Sequence, residues 1–147
     1  MAEEHPFRLG FLIHDVSRLR RTVVDKALKP YNITRSQWWA LTNLSRHDES
    51  GMMQTELAGV MDVGKVTLGG LIDRLEASGF VTRKPDANDR RVKRVKMTRA
   101  GDKVLRTITK VAGAIDNGVV KDLTAKEIKQ TETALHKIKK RLIEMDS

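Results

Sequence analysis

The chain has 147 residues, 39% of them hydrophobic, no cysteine and a formal net charge of +9 at neutral pH. That length and apolar content suffice for one core with helical arms, and the missing cysteines exclude disulfides, thiolate nucleophiles, zinc-thiolate sites and thiol redox sensing. So basic a balance points to an anionic partner, and charge alone does not separate DNA, RNA and an acidic membrane surface.

No apolar run is long enough to span a bilayer, and residues 1–6 lack the basic-then-apolar pattern of a secretory signal, so a cytoplasmic chain away from the membrane is expected. From residue 7 to 29, Leu9, Leu12, Ile13, Val16, Leu19, Val23, Ala27 and Leu28 recur at a three-four spacing that predicts one apolar helix face, ended by Pro30. Thr34 with Gln37 is a capping-box pattern opening a second helix to about residue 46, with Trp38, Leu41 and Leu44 on its inner side. After a short polar linker, residues 54–58 suggest a brief third helix, and the turn at 61–64 leads into a fourth that runs to about residue 78. This is helix-turn-helix spacing. In the fourth helix Leu68, Leu71, Ile72 and Leu75 form the buried stripe, which leaves Lys65, Thr67, Gly70 and Arg74 outward as candidate DNA readers. Gln54, which opens the third helix, joins them as a DNA-contact candidate.

Gly79 stops the fourth helix, after which residues 80–84 and 92–97 read as two short strands around a loop at 85–91. Between Arg83 and Arg99 stand eight Lys/Arg against Asp86 and Asp89, about two-thirds of the net charge, which predicts a phosphate-facing hairpin. The bland alternative is a solvated hairpin on any globular domain. Thr98 caps a fifth helix to about residue 118, and Leu123-Thr124 with Glu127 opens a sixth. Ile128, Leu135, Ile138, Leu142 and Met145 give that last helix an apolar face. The terminal helices are too apolar to stand alone, and would pack on each other or on a second copy, as when paired helix-turn-helix heads are placed about one DNA turn apart.

Four stretches carry a resemblance to the MarR family of winged-helix transcription regulators, and within it to the SlyA-like branch. They are Leu28-Lys29-Pro30 with residues 33–38, Thr55-Glu56-Leu57-Ala58, residues 71–81 and residues 89–98, in the family's order and spacing. The resemblance implies a mainly α fold with a small β-wing, in one domain over 1–147. It implies a winged helix-turn-helix head at 33–98 and dimerisation helices at 5–30 and 99–147. It further implies a homodimer on a pseudo-palindromic double-stranded DNA operator, a repressor released by a small ligand, with Asp89 and Arg91 working at the wing tip in the minor groove. A guanidinium suits the negative potential of a narrow minor groove, so Arg91 is read as the inserted residue, with Arg90 and Lys93 on phosphate.

Gly69-Gly70 departs from the arginine that SlyA-like relatives often carry in this helix. Either the backbone approaches DNA closely there, or base reading is lighter, or the glycines serve close helix packing. An architectural DNA-binding protein without operator choice or effector is the alternative function. The resemblance implies a small aromatic or amphipathic effector; Trp38 and Trp39 are candidates for a ring-stacking wall and His14 with Arg18, four apart on the first helix, for a cationic clamp on an anionic group, weighed against a core role for Trp38 and an ion pair of Arg18 with Asp15 or Asp25. Met52, Met53 and Met61 read as gap-filling core or turn residues. His5, His14, His47 and His136 show no metal-ligand spacing, no catalytic triad, paired-carboxylate or phosphate-loop frame occurs, and neither cofactor nor enzymatic activity is expected.

Overall fold

The computed structural model describes residues 7–47 and 49–147, so His5 and the first residues of the expected 5–30 helical region lie outside the described part. α1 (Arg8–Leu28) runs into a 3-10 turn, Lys29–Tyr31, whose end Asn32 takes a left-handed conformation. Proline at the second position of that turn lacks the N–H a continuing helix needs. α2 (Arg35–Ser45) starts on the expected capping box: Thr34 Oγ1 accepts from Gln37 N at 3.2 Å and Gln37 Oε1 accepts from Thr34 N at 2.9 Å. α3 (Gln54–Met61) extends one turn beyond the sequence expectation and ends on Asp62, left-handed at φ 54°. α4 (Lys65–Ala77) follows after Val63 and Gly64.

Gly79, at φ 78°, closes α4, with Phe80 N donating to Leu75 O and Gly79 N to Glu76 O. The wing strands are β2 (Val81–Pro85) and β3 (Lys93–Met97), each starting one residue later than the pattern suggests. A strand the pattern does not reveal, β1 (Met52–Met53), pairs with the other edge of β3, giving an antiparallel sheet in the order β1-β3-β2. Val95 stands opposite Met52 on one side and Arg83 on the other.

The chain divides into two units, Met1–Ala112 and Gly113–Ser147. In the first, Leu41, Leu44, Met52, Leu57, Leu68, Ile72, Leu75, Val81 and Val95 are buried, so α2, α3, α4 and the sheet share one core. α5 (Arg99–Val119) begins on Thr98, whose Oγ1 accepts from Gly101 N and donates to Gly79 O. This one hydroxyl ties the end of α4, the end of β3 and the start of α5 together. Of the apolar residues in α1 only Val24 and Leu28 are buried, whereas Leu9, Leu12, Ile13, Val16, Leu19 and Val23 are exposed. In the second unit α6 (Ala125–Met145) opens on the Thr124–Glu127 capping box, and Leu135, Leu142, Ile143 and Met145 are exposed. Isolated exposed apolar residues are ordinary, but a spaced run along a helix marks an interaction surface. No helix among the described residues is long and apolar enough to cross a membrane.

Candidate nucleic-acid interface

Burial of Leu68, Leu71, Ile72 and Leu75 fixes how α4 faces outward, as its three-four pattern predicts. Lys65, Thr67 and Arg74 are exposed, and Gly69 and Gly70 are partly so. A Cβ built on Gly69 would meet only Gln54 Nε2 at 3.7 Å, and one on Gly70 only Arg74 Nη1 at 3.7 Å, both ordinary contacts. Packing within the chain therefore does not require either glycine, which removes that one of the three explanations. Arg74 leans back over Gly70, as helical side chains do toward the preceding turn. It also lines a crevice of about 640 Å3 with Lys29, Thr34, Arg35, Gln37 and Ser78. Gln54 sits at the start of α3 with its amide nitrogen toward Gly69 and its Oε1 buried and, among the described residues, without a partner.

At the wing tip Arg91 is held by Asp89. Its Nε donates to Oδ1 at 3.0 Å and its Nη2 to Oδ2 at 3.2 Å, while its backbone N–H donates to the same Oδ1 at 3.1 Å. The Arg91 side chain is nonetheless 90% exposed. The arrangement is a fork presented to solvent with its orientation already set, and the guanidinium holds the Asp89 carboxyl below the usual carboxylate range. Arg90 and Lys93 are exposed beside it.

Two of the eight wing cations, Arg83 and Arg94, are engaged by partners within the chain. Arg94 Nε donates to Asp86 Oδ1 at 3.1 Å, and its Nη1 donates to the carbonyls of Gly51 at 3.1 Å and Ser50 at 3.3 Å. Asp86 is buried, and its Oδ2 accepts from the backbone N–H groups of Asn88 and Asp89, both at 3.0 Å. The Arg94 bond, then those two amides, depress the Asp86 pKa. Arg83 ion-pairs with Asp73 and with Glu76 of α4, the latter at 3.0 Å, which raises its own pKa and lowers that of Glu76. These two arginines are anchors: one ties β2 to α4, the other ties β3 to the loop before β1 and orders the turn that carries Asp89. Charge counting misses this because ion pairing depends on which strand face each arginine occupies. The Pro85-Asp86 turn did offer a signal, since an aspartate commonly accepts from amides two and three residues on.

The four effector candidates fall on α1 and α2. His14 and Arg18 are exposed, and Arg18 pairs with Asp15 at 3.8 Å, the bland reading of that residue. Asp25, the other carboxylate considered for it, bonds Arg35 instead. Trp38 is half-buried, its indole N–H unpartnered among the described residues, and Trp39 is exposed. None of the four lines the crevice under Arg74. Met52 is buried core and also strand, while Met53 and Met61 are half-buried. Among the described residues no group of three or more His, Asp or Glu could hold a metal.

The sequence model of the MarR family matches residues 33–93, from the residue before the α2 cap into the second wing strand. Wild-type apo MarR from E. coli superposes with a TM-score of 0.77 at 31% identity, over 92% of this chain and 98% of that one. A mutant of E. coli MarR complexed with operator DNA gives 0.75 at 29% identity, over 92% and 99%. The S. aureus MepR–DNA complex gives 0.78 at 25% identity, over 94% and 99%. The mainly α architecture with its small β-wing is thus that of solved winged-helix regulators.

Proposed function

The chain belongs to the MarR family, and from that premise we propose that it is a homodimeric DNA-binding transcription regulator, a cytoplasmic repressor of the SlyA-like branch, released by a small aromatic or anionic ligand. The observation that carries this reading is the pair of outward elements braced on one core. α4 presents Lys65 and Thr67, with Gln54 beside it, and the wing presents Arg91 in the grip of Asp89, with Arg90 and Lys93 alongside. Helix-turn-helix proteins place the N-terminal residues of the second helix against base edges in the major groove. A wing arginine suits the minor groove next to it.

The proposal assigns residues 33–98 to the DNA head and 5–30 with 99–147 to dimerisation, within one functional domain over 1–147. The exposed apolar runs on α1 and α6 support that division. The effector is assigned to Trp38 and Trp39, with His14 and Arg18 as the cationic side. The unpartnered indole N–H of Trp38 is consistent with an acceptor on the ligand.

A second reading has its own support in Gly69 and Gly70, which leave few base-reading groups on α4: an architectural protein that binds DNA without operator choice. Selecting bound duplexes from a random pool separates the two. A regulator yields a pseudo-palindromic winner bound about a thousandfold or more over random DNA, and an architectural protein yields a ratio near one. Titrating the winning complex with aromatic acids and their thioesters then tests release, where a tenfold loss of operator affinity requires about 1.4 kcal/mol of differential ligand binding. If Arg18→Ala and Trp39→Ala leave an effective ligand's affinity unchanged, the effector site lies elsewhere.

A further inference from the structure

The most exposed large apolar side chain on α4 is Val66, 92% exposed at the second position of the helix. Burial does not explain it, since the core contact of this helix is made by Leu68, Leu71, Ile72 and Leu75 on the opposite side. Val66, Gly70 and Arg74 follow one another at four-residue spacing, so they form a single ridge along the outward face. On that ridge the valine methyls stand up, the next position has no side chain, and the Arg74 guanidinium leans back over the gap. Gly69 leaves the flank beside it equally low.

The groups that usually read bases in the major groove are an arginine or lysine on guanine, an asparagine or glutamine on adenine, and an apolar group on the thymine methyl. The first two turns of α4 hold no arginine, asparagine or glutamine; they offer Lys65, Val66, Thr67 and the bare backbone of Gly69 and Gly70. An isopropyl group raised above a low surface can meet a 5-methyl group without a clash behind it. We infer that Val66 is a specificity-determining residue that reads a thymine methyl in the major groove, the glycines providing the clearance for that close approach. This rests on the DNA-binding reading above and adds to it the identity of a base.

The experiment uses the full-length chain and the duplex selected from a random pool, with each thymine of the half-site replaced in turn by deoxyuridine, which removes the methyl and keeps every hydrogen-bonding group. Affinity is read by fluorescence anisotropy at fixed salt. At one position per half-site the loss should be about fourfold per methyl, and about fifteenfold when both half-sites are changed. Val66→Ser should bring the thymine-to-uracil ratio at that position close to one while leaving the salt dependence of binding intact. Because the side chain is exposed, its thermal transition should stay where it was, and Val66→Ile provides a check by keeping the methyl preference. Tight, strongly salt-dependent binding with no uracil effect at any position, or a selected half-site without thymine, overturns the inference and leaves the DNA-binding reading standing. Failure to bind any duplex at low salt overturns both.

Discussion

Gly101→Ala and Gly70→Ala are the same chemical change in two helices, and the structure predicts opposite outcomes. A Cβ at position 101 would lie 2.2 Å from the Phe80 carbonyl oxygen and 2.8 Å from Met97 Cγ. The first distance lies well inside any contact a carbon atom tolerates, and the second, to a flexible side chain, only slightly so. The oxygen cannot swing aside, because it belongs to backbone that accepts Thr98 N at 3.0 Å where α4, β2, β3 and α5 meet. Overpacking of this kind costs about 1–3 kcal/mol, and a rigid backbone obstacle places it at the upper end, net about 2 kcal/mol after the gain in helix propensity. At position 70 the added carbon meets only the mobile end of Arg74, so propensity acts alone and stabilises by about 1 kcal/mol. At about 3 °C per kcal/mol, the two variants should melt about 9 °C apart, with wild type between them. Differential scanning calorimetry at one fixed protein concentration measures the gap, since association shifts the transition. If Gly101→Ala melts at or above Gly70→Ala, the close approach of α5 to the wing base is wrong. On the DNA-binding proposal Gly70→Ala should also lose DNA affinity while gaining stability.

Arg91→Ala should weaken operator binding about tenfold, most on A·T-rich flanks, and Asp89→Ala should act more mildly by freeing the fork, both read by anisotropy titration; equal losses on operator and random DNA would reduce the wing to charge alone. Asp86 and Asp89 have folded pKa values depressed below the unfolded value, so their contribution to wing order is complete above the ordinary carboxylate range and is lost only as pH falls through the lowered values. NMR of the Asn88 and Asp89 amides should therefore stay constant from neutral pH to about pH 4, and a transition well above that would contradict the Asp86 staple. Leu142→Asp puts a charge on the exposed apolar face of α6 and should lower both dimer mass in analytical ultracentrifugation and thermal stability. A stable monomer with full DNA affinity would refute the assignment of that helix to dimerisation.

The helices were legible because each carries its own signal: capping boxes at Thr34 and Thr124, the αL stop at Gly79, and a buried stripe in α4 that the sequence spacing reproduces residue for residue. β1 was not, because two residues show no alternation and their partner strand lies some forty positions on, so only tertiary pairing defines it. Trp38 was expected on the inner side of α2, yet Gln37, Ala40 and Asn43 are buried there along with Leu41 and Leu44, while Trp38 is half-buried. On a short helix docked between neighbours, position outranks hydrophobicity. α1 and α6 showed the reverse: their apolar spacing was plain, but spacing alone does not distinguish a face covered by the same chain from one left exposed. The pairing of Asp89 with Arg91 at the wing tip was legible because the two are close in sequence. The ion pairs of Arg83 and Arg94 are not legible in a charge count, because their partners lie across a turn or across the sheet.

Salt dependence tests most directly whether the outward faces of α4 and the wing bind the phosphate backbone of duplex DNA, as proposed. Lys65, Arg90 and Lys93 are exposed and, among the described residues, without an ion partner, and Arg91 keeps an exposed fork. Doubled in a dimer, these groups would neutralise roughly six to ten phosphates. Plotted as log K against log salt concentration, the affinity for the selected duplex should fall with a slope of about −5 to −9, becoming shallower when Arg90 and Lys93 are replaced by alanine. A slope shallower than about −2, unchanged by those replacements, would contradict it.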